Sequence, residues 1–356
     1  MPDSENPGQL GFAIIGLGMV ADYHRRAIAA NAKRGARLVA IGHHDPARFK
    51  VLSAKFGVPC LGMDDLLSRS DVDIVCICTP SGLHAEQTVA AARAGKHVIC
   101  EKPLALNLKD SDAMIEACDR AGVRLGVVLQ RRTEPLFVRV REAIQAGDLG
   151  DLTLASVTIP YRRSETYYQE AGWRGTWALD GGGVLMNQGI HLIDLLIWYM
   201  GDPVEVRAHA GTLHHGIEAE DTLTATLRFE GGALATVTAT TTAAPGFPHR
   251  IEVYGTGGGI QIEGEKALRW ESVDSSRAVV EPSEVGVASD AGAWRGARGI
   301  ASTGHINLFR DFIEALNNGL PSMTDGAQGR RSLAAVLAIY EAAGLRSPDA
   351  EGGSAS

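Results

Sequence analysis

The chain of 356 residues is short of several things that would mark a special environment. Its five cysteines, at positions 60, 76, 78, 100 and 118, are an odd number and include no Cys-x-x-Cys pair. A disulfide framework and a cysteine-based metal site are therefore excluded, and Cys76 and Cys78, two apart in an apolar strand, read as wall residues. No apolar run reaches the roughly eighteen residues of a membrane span. The opening MPDSENPGQL is polar and lacks a basic leader region. Positive charge is not in excess either: 34 Lys and Arg stand against 42 Asp and Glu, a net charge of −8 with no block of one sign. That balance argues against nucleic acid or an anionic membrane as partner. The expectation is a cytoplasmic protein with no metal centre.

Glycine is abundant: 42 residues, about 12% where roughly 7% is usual. With 45% hydrophobic residues, 21% charged and a mean hydropathy of −0.01, the surplus does not signal disorder. It calls for backbone turns or close approaches at particular places. The length favours two domains.

The first third alternates apolar strands with helical stretches. Gln9–Ile15, Arg37–Gly42, Asp73–Thr79, Lys96–Cys100 and Arg124–Gln130 are strand-like, with helical spacing over 19–30, 46–56, 84–95 and 108–121. Strands parted by ten to fifteen helical residues mean βαβ units, so residues 1–130 predict a doubly wound parallel sheet, a Rossmann domain. Beyond 130 the rhythm changes. A helix over 134–146, a strand-like 152–162 and a buried helix over 188–200 precede strands at 204–215, 221–229, 233–242, 249–254, 259–263 and 267–272. Short glycine turns join several of these, which predicts an open, mostly antiparallel sheet with helices on one side. Residues 273–300 read as a mobile loop, helices over 304–318 and 327–344 close a second domain of 131–350, and AEGGSAS reads as a frayed tail.

The first strand runs into Gly16-Leu-Gly18-Met19-Val20-Ala21 and a helix. A first glycine permits the turn, a second lets backbone approach a pyrophosphate, and the helix N-terminus offers N–H groups to its oxygens. At the first βα junction of a βαβ chain this is a dinucleotide site. The second strand ends on His43-His44-Asp45-Pro46. An acid at the tip would favour NAD and a cation NADP. His43 falls at the tip, while Asp45 before Pro46 also reads as a helix cap; NAD is the narrow preference and NADP stays open.

Three more polar stretches fall at strand ends, where open parallel sheets bind ligands: Thr79-Pro80-Ser81 with His84, Glu101-Lys102-Pro103, and Gln130. A fourth is Asp180-Gly-Gly-Gly-Val-Leu-Met-Asn187-Gln-Gly-Ile-His191-Leu-Ile-Asp194. On a helix beginning near 187, Asn187, His191 and Asp194 share one face. Histidine is suited to proton transfer near neutrality.

Taken together, these motifs resemble those of the Gfo/Idh/MocA oxidoreductases over nearly the whole chain, from the glycine loop through EKP and GGG…NQGIHLID to HINLFRDFIEAL. The resemblance implies a Rossmann domain, a C-terminal α/β domain with an open, largely antiparallel sheet, and hydride transfer between NAD(P) and a hydroxyl or keto carbon of a sugar, polyol or glycoside. Lys102 matches the lysine that contacts the reacting hydroxyl and His191 the general acid–base. Asn187 stands where many members carry Asp, a departure that shifts proton transfer toward Lys102 and His191. Gly16, Gly18, Met19, Val20, His43, Thr79, Pro80, Ser81, His84, Glu101, Lys102 and Gln130 fall at cofactor positions. Tyr161, Trp173, Arg174 and His305 join Asn187 and His191 as candidates for the substrate, since aromatic faces and Arg forks suit a sugar ring or a pyrophosphate. The alternatives are a UDP-hexosaminuronate 3-dehydrogenase and a non-catalytic NAD(P)-binding sensor. A sheet with one open face also predicts a homodimer or homotetramer.

Overall fold

The computed structural model of the chain describes residues 8–274 and 303–345. The expected loop over 273–300, apart from its first two residues, and the expected C-terminal tail lie outside the described residues. By compactness the described chain divides in two. One unit runs to Gln130 and takes in the residues from 303 to Arg330; the other holds Arg131 to 274 and the residues from Arg331 on.

The first unit is built on six short strands: β1 (Leu10–Ile15), β2 (Ala36–Gly42), β3 (Cys60–Leu61), β4 (Ile74–Ile77), β5 (His97–Cys100) and β6 (Leu125–Val127). All pairings are parallel, in the order β3-β2-β1-β4-β5-β6. β4 is buried at every residue, as a strand covered on both faces by crossover helices must be. The crossovers are α1 (Val20–Ala30), α2 (Phe49–Phe56), α3 (Met63–Leu67), α4 (His84–Arg93) and α5 (Leu108–Ala121). Asn107 caps α5 by accepting the Asp110 N–H at 2.7 Å, and Gly122, at φ +66°, ends it.

The helix expected over 304–318, assigned from sequence to the second domain, belongs to this first unit. It is α9 (Thr303–Asn318), which follows the second unit's strands in the chain. Phe309 stacks on Phe12 of β1 at 5.8 Å, and Phe312 lies where a Cβ on Gly126 would come within 2.7 Å of its ring. The apolar face of α9 thus completes the core over β1 and β6.

In the second unit α6 (Pro135–Gln145) leads to β7 (Leu152–Pro160), the short α7 (Glu165–Gln169) and α8 (Ile190–Met200). Then come β8 (Pro203–Gly211), β9 (Thr222–Phe229), β10 (Leu234–Thr240), β11 (Arg250–Gly255), β12 (Gly258–Glu263) and β13 (Lys266–Ser272), before α10 (Gly326–Ala342), whose residues from Arg331 belong here. The seven strands lie in the order β13-β12-β11-β7-β10-β9-β8. β7 intercalates between β10 and β11 and runs parallel to β10, so one parallel pair interrupts the antiparallel sheet. Residues along β9 alternate buried and exposed, the mark of a sheet covered on one face.

α8 is buried nearly all round. Its one acid, Asp194, is 1% exposed and takes a two-pronged contact from Arg132, Nε at 2.8 Å and Nη2 at 2.7 Å, with the Ser332 hydroxyl on the same carboxylate. Removing one partner of such a buried pair strands the other's charge. Asp194→Ala should lower stability by about 3–5 kcal/mol, whereas Arg132→Met with Asp194→Leu should cost far less. Urea unfolding followed by tryptophan fluorescence checks this, because all five tryptophans lie between Trp173 and Trp294. A double variant as unstable as the single one would refute the assignment.

Candidate active site

Where the strand order reverses, between β1 and β4, an open α/β sheet binds ligands at the carboxyl ends of its strands. The glycine loop falls there. Gly16 has φ +85°, and a Cβ on it would lie 2.5 Å from the carbonyl carbon of Cys78, so no larger residue fits. Gly18 is exposed, with nothing within 4 Å of a Cβ position. The N-terminus of α1, behind Met19 and Val20, has no side-chain cap. Open space over a glycine and uncapped helical N–H groups are what a pyrophosphate needs. These residues fit a dinucleotide.

Asp45 accepts the Ala47 N–H at 3.0 Å with Pro46 behind it, so it caps a helical turn. His43 is the residue at the tip of β2. Its ring stacks on His44 at 4.5 Å, and its Nδ1 accepts the Asp45 N–H at 3.0 Å.

The tips of β4 and β5 are tied together by His84, which is 1% exposed. Its Nδ1 lies 2.8 Å from the Pro103 carbonyl and its Nε2 3.0 Å from that of Thr79. Burial pushes its pKa down, against the pull of those two carbonyls. Its function is to fix the two loops, while Thr79 and Pro80 stay half-exposed and Ser81 is buried. Thr79 Oγ1 donates to Gln87 at 2.7 Å. Gln130, 5% exposed, opens a 3-10 turn after β6.

Glu101, 6% exposed, precedes the half-buried Lys102. Its Oε1 meets His24 Nε2 at 2.9 Å and its Oε2 accepts the Lys102 N–H at 3.3 Å. Burial alone would raise the Glu101 pKa, but the His24 hydrogen bond and the charges of His24, His305 and Lys102 hold it at about 2, against an ordinary 4.5. His305 is 3% exposed and stacks on Tyr23 at 5.2 Å. The structure gives it a packing place in the first unit's core, where burial pushes its pKa down to about 4 from 6.5.

In the second unit the triple glycine leads into a π-helical turn, Val184–Gly189, and then α8. Gly181 has φ +78°, and a Cβ on Gly183 would fall 1.7 Å from the Glu220 carbonyl oxygen. The Glu220 side chain holds this segment by accepting the Gly183 N–H at Oε2 and the Leu185 N–H at Oε1, both at 2.9 Å. Tyr340 donates to Glu220 at 2.8 Å and accepts the Met186 N–H at 3.0 Å. Burial pushes the Glu220 pKa up to about 7, against those hydrogen bonds.

From Asp180 to Ile197 every residue is buried except Asn187 and His191. Asp194, expected on their face, is instead turned inward to Arg132. Asn187 Nδ2 donates to both oxygens of Asp180, at 2.8 and 3.0 Å. Among the other sugar-facing candidates, Trp173 and Arg174 are half-exposed, and the Arg174 guanidinium lies 4.1 Å from the Tyr167 ring centre. Tyr161 is 4% exposed, with its hydroxyl 2.9 Å from His249 Nδ1, so it is a packed residue. Sequence reasoning missed His24, Glu220 and Tyr340. Tyr340 stands amid apolar neighbours, but His24 precedes Arg25 and Arg26 and Glu220 lies between Glu218 and Asp221, so those two leave no local trace.

A parallel sheet of Rossmann order with an open glycine loop, followed by a mixed-sheet unit presenting a histidine and an amide, defines a nicotinamide-dependent oxidoreductase. The chain belongs to the Gfo/Idh/MocA family. Residues 10–129 match the model of the oxidoreductase family with an NAD-binding Rossmann fold, and residues 137–261 match that of the GFO/IDH/MocA C-terminal domain. It is 30% identical to D-apiose dehydrogenase of Paraburkholderia graminis over 92% of this chain and 86% of that one. It is 29% identical to inositol 2-dehydrogenase of Rhizobium meliloti, over 73% and 77%. Among solved structures it is similar to the WlbA dehydrogenase from Bordetella pertussis in complex with NADH and UDP-GlcNAcA, with 33% identity, a TM-score of 0.83, and 96% and 98% of the two chains covered.

The two depressed pKa values have one sign. Between pH 6.5 and 4 the unfolded chain protonates His305 before the folded one does, and between 4.5 and 2 the same holds for Glu101. Through these two groups stability rises with pH across both windows, while Glu220, raised from 4.5 to about 7, acts in the opposite sense between those values. Relative to the native chain, the melting temperature of His305→Phe should rise as pH drops from 6.5 to 4, and that of Glu101→Gln as pH drops from 4.5 to 2. Melts at fixed ionic strength check this, and an unchanged slope in both variants would remove these groups from the account.

Proposed function

We propose that this chain is an NAD-dependent dehydrogenase that oxidises a hydroxyl of a free sugar, polyol or glycoside. The observation that carries the proposal is the buried segment from Asp180 to Ile197, from which only Asn187 and His191 emerge. A segment pinned this firmly positions one acid–base and one hydrogen-bonding group. Bound NAD+ supplies the hydride acceptor. Gly16, Gly18, Met19 and Val20 would face its phosphates and His43 its adenosine ribose. Thr79, Pro80, Ser81, Glu101 and Gln130 would form the wall behind it, with His84 holding the loops in place. Oxidation also releases a proton from the hydroxyl. His191 takes that proton as general base, Lys102 stabilises the developing alkoxide charge, and Asn187 orients the hydroxyl. Trp173 and Arg174 are the residues we assign to the sugar.

A second reading, oxidation of a UDP-hexosaminuronate, is favoured by the likeness to WlbA, whose complex contains UDP-GlcNAcA. An NADH-absorbance assay over hexoses, inositols, uronates, glycosides and UDP-sugars separates the two. His191→Ala should lower turnover on the responding substrate by roughly 10²–10⁴, with NADH affinity unchanged. Unchanged turnover would take His191 out of the mechanism, and tight NADH binding with no turnover on any member would favour a sensor.

The cysteines are buried thiols, in keeping with a reducing cytoplasm, and among the described residues no helix is long and apolar enough to cross a membrane. The open face of the seven-stranded sheet carries Thr224, Thr226, Thr236 and Thr238, and the paired Leu154 and Leu234 are 44% and 51% exposed. We assign this face to a second copy of the chain. Light scattering should give two or four times the 37.7 kDa chain mass; a particle of one chain mass would end that assignment.

A further inference from the structure

We propose that His24 is a positioning residue for Lys102 that acts through Glu101: its ring holds that carboxylate charged and fixed behind the lysine's backbone. Where it concerns turnover, the inference rests on the dehydrogenase reading.

A buried carboxylate needs donors on its oxygens or it takes up a proton. Glu101, just past β5, has one on each. Its Oε1 lies 2.9 Å from His24 Nε2, and its Oε2 accepts the Lys102 N–H at 3.3 Å. His24 comes from α1, is fully buried, and is set edge-on to Phe309 of α9 with ring centres 5.2 Å apart. Its Nδ1 is buried without a partner. A hydrogen on Nε2 therefore suits the ring on both sides, since it donates to the carboxylate and leaves only a lone pair at Nδ1.

The other groups around Glu101 give it no counter-charge at neutral pH. Burial holds His305 of α9 at about 4 and pushes His84 down as well. Burial also pushes up the thiols of Cys76, Cys78 and Cys100, at β4 and β5, so they stay uncharged. That leaves the His24 ring and the ammonium of Lys102. The lysine is half-buried on a flexible stem, so the ring is the fixed support.

A lysine that stabilises a developing alkoxide acts as an ammonium, and an ionised neighbour favours that form. The same carboxylate orients the Lys102 peptide through its N–H. In this scheme the hydroxyl proton goes to His191, Lys102 keeps its own, and Glu101 receives none. His24 lies one turn beyond Val20, so α1 carries both the uncapped N–H groups proposed for the cofactor and the ring behind Lys102.

The test uses the full chain with His24→Phe, which fills the space without a donor, and His24→Gln, whose amide nitrogen can take the place of Nε2. In protein labelled with 13C at the glutamate carboxyls, the Glu101 signal is the one missing from Glu101→Gln. It should remain that of a carboxylate from about pH 8 to 5 in the native chain and in His24→Gln. In His24→Phe it should titrate with a midpoint of about 5–7, roughly 3–5 units above the native value of about 2. The Lys102 backbone amide, followed with 15N-lysine, should move with the same midpoint. On an alcohol that the native enzyme oxidises, kcat/KM of His24→Phe should fall relative to native by about tenfold one pH unit below that midpoint, while His24→Gln should run parallel to native. A packing role alone predicts the reverse order, with Phe tolerated better than Gln. A Glu101 carboxylate unmoved by His24→Phe, a Lys102 amide that does not follow it, or equal profiles for the two variants would overturn the proposal. If His24→Phe does not fold, the native chain decides, since a Glu101 that titrates between about pH 8 and 5 beside the intact ring would refute it. The expected titrations with no alcohol oxidised by the native chain would leave the linkage of His24, Glu101 and Lys102 standing and sink the dehydrogenase reading.

Discussion

The second unit depends on one buried carboxylate. Glu220 sits at the end of the chain that enters β9, yet its oxygens bind backbone N–H groups of a glycine turn more than thirty residues earlier. Without that acceptor the Gly183 and Leu185 amides would be buried and unsatisfied, at a cost of about 1–3 kcal/mol each. With it the turn is held closely enough that a side chain at 183 is impossible. Gly183 is therefore a packing requirement set by the distant Glu220, and Gly182 one set by Tyr340. The π-helical turn that follows begins from a fixed point, which is why Asn187 and His191 reach the surface from a segment that is otherwise core.

The first unit solves a similar problem with histidines. His84 joins two loop carbonyls and His24 joins the Glu101 carboxylate, so the ends of β4 and β5 are held from behind by rings that solvent does not reach. Lys102 takes its place on that scaffold. Its neighbour Glu101 is kept ionised although buried, which leaves a fixed negative charge beside a lysine of the proposed site. The motif around Lys102 thus sets that lysine beside the residues that hold its strand end.

The parallel sheet was legible because five of its six strands are local signals, apolar runs between helical stretches, and right-handed crossovers fix their order; the two-residue β3 (Cys60–Leu61) gave no such signal. Asn187 and His191 were legible for a related reason, as polar residues in a segment with almost no others. What could not be read were partners distant in sequence. Asp194 shares a helical face with His191 by spacing, but Arg132, sixty-two residues earlier, turns it into the core. His305 looks like a site residue in sequence and packs on Tyr23. The placing of α9 in the first unit was hidden because its match is with strands far earlier in the chain, Phe309 with Phe12 of β1 and Phe312 with Gly126 of β6. Strand positions in the mixed sheet were read correctly, while its order was not, since short turns say nothing about a strand inserted from upstream.

That inserted strand has a consequence for how the chain is made. Leu154 of β7 pairs with Leu234, eighty residues later, and Val157 with Ile251, ninety-four residues later. The central strand of the seven is thus the first to leave the ribosome and must wait, with both edges unpaired, for neighbours not yet synthesised. Pairings this distant in sequence fold slowly, because loop-closure entropy is lost before any contact repays it. An apolar strand exposed on two edges is also open to other chains during that interval.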